Sequence, residues 1–285
     1  MIEALQYGFM RNALAAGLLV SLACGIVGTY VVVNRIVFIS GGIAHAAYGG
    51  IGLGYFLGIS PVLGAVVFSL AAALGMGAVQ RRTRQRADTI IGVMWAVGMA
   101  IGIILVDLTP GYKADLMSYL FGSILAVPTR DLWLMVGLDL AVVAVVGALY
   151  KELLAISFDE AYASISGVAV DAIQMLLICL IGLTAVMLMR VVGLIMVIAL
   201  LTMPAAISGM YLKDMRQMMV ASSILGMLFT VTGLWLSYAI NLTSGATIIL
   251  VAGVAYLVAM AARPLVQRAR AIEDAGSATP AAQAQ

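Results

Sequence analysis

The chain reads as one apolar stretch of membrane-spanning length after another, each closed off by a charge cluster or a turn signal. Crossing the hydrocarbon takes roughly 20 apolar residues in a helix. The runs near 12–33, 41–58, 61–80, 88–107, 131–150, 172–189, 191–211, 218–239 and 245–262 approach or reach that length. With no water at membrane depth to satisfy backbone groups, only helices or a closed barrel can span. None of these runs shows the alternation of a barrel strand. The fold class is therefore all-α, a polytopic helical membrane protein of eight or nine spans. Composition agrees: 64% of residues are hydrophobic and 10% charged, where soluble domains carry about a quarter charged residues.

Punctuation sets the count and the orientation. Ser60-Pro61, Thr109-Pro110-Gly111 and Asn241 to Gly245 read as turns. The stretch 112–127 is apolar but short, which predicts a surface or partly re-entrant helix. A turn at Arg190 to Gly193 gives nine spans, whereas a buried break there gives eight. Arg81, Arg82, Arg84 and Arg86 form the densest basic loop, placed in the cytoplasm by the positive-inside tendency. Alternation then leaves only Arg11, Lys113, Arg130 and Arg190 of the 15 Lys and Arg outside. That predicts an outer N-terminus and a cytoplasmic C-terminus. Residues 1–270 form the transmembrane domain, and the tail 271–285, with nothing to bury, is expected to be disordered.

Several activities lack their residues. No Gly-Lys-Ser or Gly-Lys-Thr phosphate loop is present, and a single histidine cannot supply a His-Glu-x-x-His zinc pair. No catalytic residue is expected, and energy must come from another chain or from an ion gradient. Cys24 and Cys179 lie in separate apolar spans without ligand spacing and read as small buried hydrophobes.

The candidate residues are few. His45 lies in GGIAHAAYGGIGLGYFLG, residues 41–58, where Gly42, Ala46, Gly50, Gly54 and Gly58 form one i, i+4 row and Gly41, His45 and Gly49 the next. Small rows let helices approach closely, and ionisable groups at membrane depth mark pathways. Asp139 sits mid-span without an adjacent cation and is read as either pathway-lining or paired. Asp107 and Asp115 flank an outer end and could attract cations to an entrance. Met203 precedes Pro204, which removes a backbone donor and marks a kink or gate. Residues 157–168 break the apolar pattern: Asp159 and Glu160 suit a helix start, Ala161 follows, and Gly167 suits its end.

The ordered strings GGIAHA (41–46), DTIIGVMWAVGMAIGI (88–103), DLMSYLFGSILAV (115–127), DEAYASISGV (159–168) and VVGLIMVIALLTMPAA (191–206) resemble the membrane permease of zinc, manganese and iron ABC importers. The similarity runs from about residue 7 to 262. It implies a type II ABC importer-like permease in the prokaryotic cytoplasmic membrane, working as a homodimer. Two ABC ATPase subunits would hydrolyse ATP below it, and an extracellular or periplasmic metal-binding protein would deliver the ion above. It also implies that 157–168 is the coupling helix and that the segment carrying His45 lines the path at the dimer axis. The chain itself would bind no cofactor and no nucleic acid; its cargo would be a divalent metal. Many relatives carry aspartate four residues before this histidine, where Gly41 stands here. Two other readings stay open on the sequence: a permease for a metal chelate, and a proton- or sodium-driven secondary transporter using Asp139 and His45.

Overall fold

Residues 6–82, 87–110, 120, 122–194 and 197–278 are described by the structure, a computed structural model. Among them there is no strand. The helices are α1 (Gly8–Val33), α2 (Val37–Phe56), α3 (Pro61–Arg82), α4 (Ala87–Leu108), α5 (Thr129–Ala148), α6 (Tyr150–Phe158), α7 (Glu160–Ile165), α8 (Val170–Val191), α9 (Val197–Tyr211), α10 (Met215–Ile240) and α11 (Ser244–Ala278). Boundaries follow the turn chemistry. Pro61 opens α3, where its missing N–H costs nothing. Asn241 closes α10 in the left-handed region at φ 59°, with the Leu242 N–H bonded to the Ser237 carbonyl.

Eight of these helices are long and apolar enough to cross a membrane, and α9 is a shorter apolar helix of 15 residues. At about 1.5 Å per residue α9 covers about 22 Å of a hydrocarbon layer about 30 Å thick. Contacts sort the helix ends into two faces. Asn34, just after α1, donates to Ser157 at the end of α6 at 3.0 Å. Lys213 and Arg263 share a cavity with Val33 and Phe158. Arg216 lies 4.5 Å over the Tyr150 ring. The opposite face joins the starts of α1 and α5, where Asn12 donates to Val127 and Thr129. Gln174 of α8 lines a pocket with Asn34 and Gln80, so α8 begins on the face where α9 ends. The chain therefore reverses between them, at Val192 to Leu194, where Gly193 takes φ +85°. This turn sets α9 apart as a ninth apolar helix, shorter than the eight long enough to cross a membrane.

The small-residue rows of α2 do what their spacing predicts. A Cβ on Gly52 would stand 2.7 Å from the Gly102 Cα, and one on Gly50 would stand 2.6 Å from the Gly64 carbonyl carbon. Both neighbours are backbone, so α4 and α3 touch α2 directly. With α8 and the start of α9 they enclose it, and every residue from Ile39 to Gly52 is buried. Most of the 41–58 segment is thus core, with Phe56 and Leu57 exposed at its end. Helix α4 is among the helices that expose an apolar face, at Val93, Val97, Ile101 and Ile104. Hydroxyl pairs hold α9 and α10 on α1. Ser222 bonds Ser208 at 3.0 Å and lies 3.4 Å from Thr29, and Ser21 meets Thr230 at 3.1 Å. Such interhelical bonds average about 0.6 kcal/mol in a bilayer.

Two expectations change. The tail does not lose structure after Arg270, because α11 continues to Ala278. Alanine, glutamate and arginine are strong helix formers, and extending an existing helix avoids the cost of nucleation. Residues 279–285 lie outside the described residues. Most of the predicted 112–127 helix does too; its described end holds a single 3₁₀ turn, Ile124–Ala126.

Candidate functional site

His45 sits near the middle of α2 with 8% of its surface exposed. Its Nδ1 is buried and has no hydrogen-bond partner. On its remaining side stands Trp95 of α4, whose ring stacks on the imidazole at 4.0 Å between centroids and 19° between planes. Phe38, two turns before His45 on α2, leans on the same indole at 6.1 Å. Gly41 shares the face of His45. A Cβ there would lie 2.6 Å from Ile198 Cδ1, 3.2 Å from its Cγ1, and 3.8 Å from Trp95. The place of a carboxylate at position 41 is therefore taken by the tip of an α9 side chain and the edge of an indole. The centre is one imidazole, one indole and apolar walls.

The other predicted residues do not converge on it. Asp139 is buried with both carboxylate oxygens unpartnered, but it belongs to the buried stripe Met135, Asp139, Val142 and Val146 of α5. That helix packs on α1 and α8. Met203 faces the other way, its methyl 3.9 Å from where a Gly253 Cβ would be on α11. Pro204 is buried inside α9, which runs unbroken from Val197 to Tyr211. The interruption of this region comes at Gly193 instead, because glycine alone adopts that positive φ without strain. Asp107 is exposed in the last turn of α4, and Asp115 lies outside the described residues. Among the described residues no three His, Cys, Asp or Glu side chains group to hold a metal. Both cysteines are free.

Sequence reasoning missed Trp95 and Ile198. Trp95 carried a signal: tryptophan concentrates at membrane interfaces, so one two turns inside a span, level with a lone histidine, is out of place. Ile198 carried none, since only the fold brings α9 against α2.

At the other end of the bundle, the segment 157–168 holds the short helix α7, while Ser157 and Phe158 belong to the end of α6. The Asp159 carboxylate caps α7 by accepting the Tyr162 N–H at 2.9 Å. Gly167 ends it at φ +82°, with the Val168 N–H on the Ala163 carbonyl and the Gly167 N–H on that of Ser164. Glu160 and Ala161 are exposed. So are three large apolar side chains, Phe158 at 70%, Tyr162 at 66% and Ile165 at 88%.

A bundle of eight helices long and apolar enough to cross a membrane, with a short helix carrying exposed Tyr162 and Ile165 at one end, defines a multi-pass helical membrane protein. The chain belongs to the ABC 3 transport family, whose profile matches residues 6–263. It is 62% identical to an uncharacterized membrane protein of Synechocystis, over 92% of this chain and 94% of that one. It is 34% identical to the manganese transport system membrane protein MntC of Listeria innocua, over 91% and 92%. Its fold matches PsaBC from Streptococcus pneumoniae, solved in complex with a Fab, at TM-score 0.83 and 33% identity, over 90% of this chain and 93% of that one. It is thus a metal ABC importer permease of the cytoplasmic membrane and not itself a catalytic subunit.

Proposed function

We propose that this chain carries divalent transition-metal ions inward by alternating access, with His45 as the group that touches the ion. The supporting observation is the buried imidazole, its Nδ1 without a hydrogen-bond partner, on a helix enclosed by α3, α4, α8 and the start of α9. Neutral imidazole suits borderline divalent ions, and a transport site should hold its ion weakly enough to release it. The chain works as a homodimer with two ATPase subunits and an extracellular metal-binding protein. Nucleotide-driven movement of the ATPases is passed through α7, whose exposed Tyr162 and Ile165, with Phe158 at the end of α6, suit a groove on a partner. α6 and α8 then carry the motion into the bundle that surrounds α2. A proton-coupled reading would use Asp139 with His45, and their placement on different helix packings argues against that pairing.

The test is His45→Ala in cells that depend on this importer for metal. Uptake is expected to fall to background while the complex with the ATPase still purifies intact. Normal metal-specific uptake would remove His45 from the path.

A further inference from the structure

We propose that Trp95 is the second half of the cation site: its indole face stands in for the carboxylate absent at position 41 and selects ions that one imidazole nitrogen can hold over oxygen-seeking manganese. This rests on the import reading above. The geometry carries it. A metal bound to an imidazole lies in the ring plane about 2.1 Å from the nitrogen, hence about 3.2 Å from the ring centroid. The indole is nearly parallel to that plane, with its centroid 4.0 Å from the imidazole centroid. With the two rings centred on each other, an ion at a ring nitrogen would stand about 5 Å from the indole centroid, inside the roughly 6 Å reach of a cation–π contact.

The surroundings leave little else to hold it. Ile198 and Trp95 occupy the space beside Gly41, and Phe38 backs the indole from below. The nearest carboxylate along α4 is Asp88, exposed in its first turn two turns before Trp95. Packing alone leaves Nδ1 of His45 buried and unpaired; an ion in the ring plane at that nitrogen, alongside the indole, satisfies it. Manganese binds such nitrogen sites less tightly than the later divalent ions do, and it lacks the oxygens it prefers here.

The experiment uses the complete importer in proteoliposomes, supplied with zinc or manganese alone and in competition. Trp95→Phe keeps an aromatic face and is expected to retain at least about half of wild-type zinc uptake. Trp95→Ala is expected to lower zinc uptake about tenfold and to narrow the zinc-over-manganese preference by a similar factor, the loss of one cation–π contact. Trp133→Phe with Trp235→Phe leaves Trp95 the sole indole of this chain, and in the purified permease its emission is expected to shift on zinc addition, but not when His45 is alanine. A Trp95→Ala importer with wild-type uptake and preference overturns the proposal. So does a wild type that prefers manganese, or a Trp95 emission blind to zinc, the reading that decides if Trp95→Ala does not assemble. A wild type that moves neither metal overturns the import reading as well.

Discussion

Placing a methyl on Gly41 tests the packing that defines the site. In Gly41→Ala the new Cβ would lie 2.6 Å from Ile198 Cδ1 and 3.2 Å from its Cγ1, where carbon contacts settle at about 3.5–4.0 Å. The obstacle is the end of a flexible, half-buried side chain, so it shifts by about 1 Å rather than moving a helix. Overpacking costs about 1–3 kcal/mol, and a yielding neighbour puts this case near the lower end. Ile198→Ala removes the obstructing atoms. Unfolding equilibria in mixed micelles titrated with SDS should show the double variant less destabilised than the sum of the singles by about 1 kcal/mol, within the range of contacting pairs. Strict additivity, within about 0.4 kcal/mol, would refute the contact between α2 and α9. The same pair has a functional counterpart. Gly41→Asp combined with Ile198→Ala should broaden uptake toward manganese, because room for the carboxylate is made before it is introduced.

Two more outcomes follow from the packing. Asp159→Ala removes the cap of α7, worth about 0.5–2 kcal/mol, and Gly167→Ala forces a side chain into φ +82° at about 1 kcal/mol. Either should lower transport-linked ATP hydrolysis while leaving basal hydrolysis of the ATPase intact, and unchanged coupling would speak against α7 as the transmitter. Asp139→Leu replaces a buried carboxyl whose oxygens have no partner, so thermal stability should hold or rise. A loss beyond about 2 kcal/mol would reveal a partner that keeps the carboxyl in place.

What the sequence made legible is what depends on local chemistry. The turn signals at Pro61 and Asn241, the small rows of α2, and the Asp159 and Gly167 ends of α7 all state their structure in a few adjacent residues. The reversal between α8 and α9 was harder, because residues 186–201 are apolar almost throughout and only Arg190 and Gly193 interrupt them. Pro204 drew attention as a break, yet a helix held on both sides by α1, α10 and α11 absorbs one missing N–H. The site itself was half visible. His45 and Gly41 share a helix face and could be paired from spacing. Trp95, Ile198 and the separation of Asp139 depend on which helices pack together, and no local pattern encodes that.

The most direct measurement is metal accumulation by sealed vesicles holding the purified permease, with the ATPase subunit and ATP either supplied or withheld. Accumulation is expected only when both are present, and to vanish when His45 is replaced by alanine. Vesicles that load metal through this chain alone, without nucleotide or partner, would contradict the account.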